Sequence, residues 1–167
     1  MLTRDQLSQE EWRAVRAAPH LVLLAVSAAS GTPFDRMLER HAGMRRVTDA
    51  IDSTHPLVRS LADAAEIVEA QDEIQRWIYR LADAERSAAG MQERALQAFS
   101  HALDVLVARG GGDDLMRYSD FVIRLANRVA RAAREGDVLG VGGKRVSLAE
   151  AEFIRRLKVI AGSVVRS

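Results

Sequence analysis

The sequence predicts an all-α fold: a single compact bundle of about seven helices over residues 1–167. Three observations carry the prediction. Alanine, the best helix former, supplies 27 of the 167 residues, and strand-favouring aromatic and β-branched residues are nowhere concentrated for long. Apolar residues recur three and four apart along most of the chain. Helix-start signals punctuate it, with capping-box spacing at Ser8-x-x-Glu11 and Ser147-x-x-Glu150, and Thr32-Pro33 placed to cap and open a helix.

The elements follow in order. A short helix is expected from Ser8 to about Ala18, where Pro19 ends or kinks it. His20 to Ala29 is apolar on nearly all sides and reads as a buried central helix. Phe34, Met37, Leu38, Met44 and Val47 mark a helix after Thr32-Pro33. Ser53-Thr54-His55-Pro56 is a break and restart. Leu57, Leu61, Ala64 and Val68 then mark one face, and the stripe resumes out of phase at Ile74, Trp77, Ile78 and Leu81. One bent helix or two shorter ones both fit residues 54–89, with Gly90 as the stop. Leu96, Phe99, Leu103 and Leu106 give the next helix, ended by Gly110-Gly111-Gly112. Asp113 or Asp114 caps another, through Phe121, Leu125, Val129 and Ala132. A Gly-rich, hairpin-like loop over residues 136–146 precedes the last helix, which carries Phe153, Leu157 and Ile160.

Absence of cysteine excludes disulfide scaffolds, Cys-ligated zinc, iron–sulfur clusters and thiol catalysis. The net charge of +1 conceals a division. Residues 1–114 carry 13 basic and 18 acidic side chains, whereas residues 115–167 carry 11 and 5. Two readings stand open: the portions attract each other, within the fold or across an oligomer, or the C-terminal third presents an anion-binding face. The N-terminus shows no secretory pattern, and the apolar stretch Leu21–Ala29 is too short to span a bilayer, so a cytoplasmic protein with no membrane span is expected.

Phe121 to Gly136, with its Ala-Ala-Arg-Glu-Gly ending, Leu139-Gly-Val-Gly-Gly143, and Val146-Ser147-x-x-Glu150 resemble the C-termini of a widespread group of uncharacterised bacterial helical proteins. Glu11-Trp12, followed by Ala18-Pro19 and an Ala-rich apolar helix, is similar to their N-termini. The chain departs from the pattern at Asp137, where a second Gly is usual, and at Val141, where Phe is usual. A looser similarity is to tellurite-resistance-type helical domains. The resemblance implies a fold class and a bacterial origin, and no activity.

Four features could carry chemistry. Gly140, Gly142 and Gly143 free the backbone, Ser147 opens a helix N-terminus, and Lys144 and Arg145 stand beside it, together a cradle for a phosphate or carboxylate. The loop lacks Walker A spacing, and the leading reading is a tight structural turn whose Val138, Leu139, Val141 and Val146 plug the bundle end. Arg117, Arg124, Arg128 and Arg131 form a cationic stripe for nucleic acid or another polyanion, without an aromatic stacking platform. Glu66, Glu69, Asp72 and Glu73 fall on one helical side, as a cation cage or a solvated face. His20, His41, His55 and His101 show no ligand spacing beyond Asp52 with His55. No nucleophile motif is present, and Trp12 and Trp77 read as core anchors.

The expectation is therefore a non-enzymatic helical interaction or assembly module that engages itself or another protein, with no catalytic residue, metal or cofactor. The alternative of a different class is a small-anion or nucleotide binder using residues 136–147 with Gly140, Gly142, Gly143, Lys144, Arg145, Ser147, Arg128 and Arg131. A nucleic-acid-binding protein using the arginine stripe is the third.

Overall fold

The computed structural model describes residues 1–29, 53–82, 85–135 and 148–165. Among them are a 3-10 turn at Arg4–Gln6 and six α-helices: α1 Gln9–Ala29, α2 Pro56–Ser60, α3 Ala64–Ile78, α4 Ala88–Ala108, α5 Gly112–Glu135 and α6 Leu148–Val165. The described residues are all-α, with no strand. The helix expected after Thr32-Pro33 and the Gly-rich loop fall on residues 30–52 and 136–147, outside the described residues. No helix among the described residues is long and apolar enough to cross a membrane.

Helix α1 is the axis of the bundle. Ser8 and Glu11 close the expected capping box: Glu11 N–H donates to Ser8 Oγ (3.2 Å) and Ser8 N–H to the Glu11 carboxylate (2.7 Å). Leu21 to Val26 are buried on every side of the helix, against α4 above all and also α5, α3 and α6. Each such Leu or Val contributes about 2 kcal/mol by leaving water.

Pro19 does not end this helix; α1 runs through it, and the two expected segments are one. A proline removes the N–H that would bond the carbonyl four residues back, here Val15. The buried hydroxyl of Tyr118 on α5 donates to that same carbonyl at 2.7 Å. The orphaned acceptor is thus satisfied from a neighbouring helix, inside the core, where an unpaired carbonyl is costly. Burial pushes the Tyr118 phenol far above its usual range, so it stays a donor.

Residues 54–89 hold two helices. His55 stands at the N-cap of α2, with Pro56 at its first position. The chain turns at Leu61 and Ala62, and Asp63 then caps α3 by accepting from Ala65 N–H (2.9 Å). That turn resets the helical phase. Ile67, Ala70, Ile74 and Ile78 face the core, while Val68, placed on the buried stripe by the sequence spacing, is exposed.

Gly90 is not a stop but lies in the first turn of α4. Ser87 caps this helix by accepting from Gly90 N–H at 3.1 Å. A Cβ at Gly90 would sit 2.6 Å from the Glu85 carbonyl oxygen, so the turn closes only on glycine. The other end of α4 is a Schellman motif. Gly110, at φ 107°, donates to Val107 O (3.0 Å), and Gly111 donates to Leu106 O (2.8 Å). Helix α5 then starts at Gly112, before either Asp expected to cap it. Asp114 Oδ1 instead accepts Leu2 N–H at 2.6 Å and lies 2.9 Å from His55 Nε2, tying the N-terminus, α2 and α5 together.

Two predictions follow from these contacts. Tyr118→Phe lowers stability by about 1–3 kcal/mol in urea unfolding, the cost of a buried carbonyl left unpaired. In the Pro19→Ala background the restored N–H takes over Val15 O, so the same substitution costs less than half as much; equal costs would exclude the coupling. Gly90→Ala lowers the melting temperature although alanine is the better helix former; a rise would show that the Glu85 turn yields freely.

A cationic groove as candidate functional site

Helix α5 is strongly amphipathic. Leu115, Tyr118, Val122, Leu125, Ala126 and Ala130 are buried, and the arginine stripe lies opposite. Its first half is neutralised on its own helix. Arg117 pairs with Asp113 (3.3 Å) and Arg124 with Asp120 (2.8 Å), each one turn back. Asn127 donates to Ile123 O at 2.8 Å. Arg131 has no carboxylate partner among the described residues.

Arg131 lines an open groove of about 340 Å³ between α5 and α6. Asn127 and Ala130 join it from α5, and Ala151, Ile154, Arg155 and Lys158 from α6. The apolar lining is Ala130, Ala151 and Ile154, of which Ala130 and Ile154 are buried. The rim is cationic. Arg155 is held by Glu152 in a two-bond fork (2.8 and 2.6 Å), whereas Lys158, like Arg131, has no carboxylate partner among the described residues. An apolar floor flanked by unneutralised cations attracts an anion that also carries apolar surface.

Of the residues singled out in the sequence, Arg131 lines this groove. Arg128 is exposed on the same helix but is not part of the lining. Gly140, Gly142, Gly143, Lys144, Arg145 and Ser147 lie outside the described residues, with the rest of residues 136–147. Sequence reasoning missed Asn127, Arg155 and Lys158. Ala151, Ile154, Arg155 and Lys158 do fall at helical spacing on one face of α6, but that spacing does not join them to α5.

On the acidic side of α3, Asp72 is exposed and carries no ion pair among the described residues, whereas the other three carboxylates are gathered by an arginine. Glu66, Glu69 and Glu73 converge on Arg16 of α1, which is almost wholly buried. Arg16 Nη1 donates to Glu66 (2.6 Å) and Glu69 (2.7 Å), and Nη2 to Glu73 (2.8 Å). Glu66 also takes the indole N–H of Trp12 at 2.8 Å and pairs with Arg4 (2.7 Å), and Glu73 pairs with Arg13 (3.3 Å). Three carboxylates meet three guanidinium groups. Burial works against the charge of Glu66, but the Trp12 and Arg16 hydrogen bonds outweigh it and hold the carboxyl below its usual range. The Arg16 hydrogen bond does the same for Glu69. Among the described residues no group of three or more His, Asp or Glu could hold a metal ion. His55 is buried against Asp114, while Asp52 and His41 lie outside the described residues.

No family model, curated protein or solved structure matches this chain.

Arg16→Ala removes the counter-charge and leaves the carboxylates crowded, which costs about 3–5 kcal/mol in urea unfolding at pH 7. The pH dependence also changes. In the parent chain the lowered Glu66 and Glu69 contribute stability that is present above the ordinary carboxylate value of 4.5 and is lost as pH falls through their folded values. Without Arg16 the buried Glu66 is pushed up instead, so the variant gains stability as pH falls from 7 towards 5. A variant whose stability merely tracks the parent over that range would show that Arg16 acts through packing alone.

Proposed function

We propose that the chain is a non-enzymatic helical interaction module whose partner is anionic and docks in the groove between α5 and α6. One observation carries the reading: Arg131 and Lys158 border an apolar floor, with no carboxylate partner among the described residues. The groove runs open between two helices, which suits a segment laid along it. The fitting partner is an amphipathic acidic segment, its apolar face on Ala130, Ala151 and Ile154 and its carboxylates at the rim.

Two features weigh against a nucleic-acid partner at this site. Arg117 and Arg124 are already paired along the stripe, and no aromatic side chain lines the groove to stack a base. A second copy of the chain is a weaker partner than the charge division implies, because Glu66, Glu69 and Glu73 are taken up by Arg16, and Glu11 by Arg109 (2.6 Å).

The test is anisotropy of a labelled Glu-rich amphipathic peptide titrated with the protein at low salt, beside a labelled DNA duplex. Peptide binding is expected to weaken at least tenfold in Arg131→Ala/Lys158→Ala, with the melting temperature unchanged because both side chains are exposed. Binding indifferent to the double substitution, or tighter binding of the duplex, would overturn the reading. Sedimentation of the protein alone reports whether a second copy occupies the groove instead.

A further inference from the structure

A second cationic groove, of about 370 Å³, lies between α1 and α3 on other residues. Arg13 lines it from α1, Glu73, Arg76 and Trp77 from α3, and Arg80 from the turn that follows. Its single carboxylate is already committed. Glu73 Oε1 faces Arg13 at 3.3 Å, and Oε2 accepts from the buried Arg16 at 2.8 Å. Arg76 Nε donates to the Asp72 carbonyl at 3.2 Å, which folds the guanidinium back along the helix. Neither Arg76 nor Arg80 has a carboxylate partner among the described residues. Both line the same groove, so it presents two cations that no carboxylate of the described residues neutralises.

The aromatic member sets this groove apart from the first. Trp77 is only half-buried, although Trp12 is enclosed. The Arg94 guanidinium already lies over the Trp77 ring, 5.6 Å from its centroid, so the indole is placed among four arginines and still contributes to the groove wall. A planar ring beside guanidinium forks joins the two elements that recognise a nucleobase and a phosphate: a stacking surface, and paired N–H donors of matching geometry. A long single strand would need further stacking rings in line, and Trp77 is the aromatic residue lining the groove.

We infer that the α1–α3 groove binds a nucleoside phosphate, with the base against Trp77 and the phosphates held by Arg76, Arg80 and Arg13. The inference is independent of the acidic partner assigned to the α5–α6 groove, since the two share no residue.

The experiment is a titration of tryptophan emission in the full chain at low salt with each of ADP, GDP, CDP and UDP, and with inorganic pyrophosphate. At least one nucleotide is expected to quench saturably, with affinity at least tenfold above pyrophosphate followed by calorimetry. Arg76→Gln/Arg80→Gln, at exposed positions, is expected to weaken that binding at least tenfold with an unchanged melting temperature. Trp77→Phe is expected to abolish the quenching. Arg131→Ala/Lys158→Ala is expected to leave nucleotide binding intact, which separates this site from the other groove. No saturable binding of any of the four nucleotides, pyrophosphate binding as tightly, indifference to the Arg76/Arg80 substitutions, or tighter binding of a single-stranded oligonucleotide would each overturn the inference.

Discussion

Helix α1 can sit at the centre of the bundle only because two adjacent polar defects in it are met from outside. Val15 carries a carbonyl that Pro19 leaves without its helical donor, and Arg16 carries a charge into the interior. The first is met by the Tyr118 hydroxyl from α5, and the second by Glu66, Glu69 and Glu73 from α3. A buried helix whose backbone and charge each require a specific partner has little freedom to rotate or slide, because a shift of one residue would strand both groups. The apolar run Leu21–Val26 drives burial, but it is apolar on all sides and so specifies no orientation by itself. The polar pair at Val15 and Arg16 supplies the orientation that the apolar run lacks.

The same pairing decides which charges remain at the surface. Several carboxylates of residues 1–114 are paired within that portion, with Arg4, Arg13, Arg16 and Arg109. Arg156 with Glu93 is an ion pair that reaches from α6 back to α4, while Arg117, Arg124 and Arg155 find carboxylates on their own helices. Exposed pairs of this kind contribute little to stability. Among the cations that this pairing leaves without a carboxylate are Arg131 and Lys158 on one groove and Arg76 and Arg80 on the other, while Glu10, Asp72 and Asp104 stay exposed without an ion pair among the described residues.

Much of this fold was legible in the sequence wherever a local rule governs. Ser8 with Glu11, the Gly110-Gly111 stop and the Phe99–Leu103–Leu106 stripe are decided by hydrogen bonds or contacts within one or two turns, and they stand where the spacing puts them. The misreadings share a cause. Pro19 breaks an isolated helix, but here Tyr118, 99 positions later, removes the penalty. Gly90 looks like a stop until the close approach of Glu85 is known. Val68 extends a stripe only if no turn intervenes at Leu61–Ala62. Glu66, Glu69 and Glu73 look solvated because the residue that gathers them is 50 positions before the first of them. Arg131 was visible as part of a stripe, but a groove is a relation between two helices, and Lys158 could not be joined to it by spacing along either one.

The titratable groups at the two grooves differ from those of the interior. General acid–base chemistry needs a group that changes protonation near neutral pH within reach of a substrate. Among the described residues, the histidines of the interior, His20 and His55, line neither groove, and His55 lies against Asp114 at the junction of α2 and α5. Glu73, the carboxylate lining a groove, has both oxygens engaged by arginines. The groups presented at the rims are guanidinium and ammonium, which hold a fixed positive charge at neutral pH. Such groups attract an anion, and that is the feature on which the readings proposed for both grooves rest.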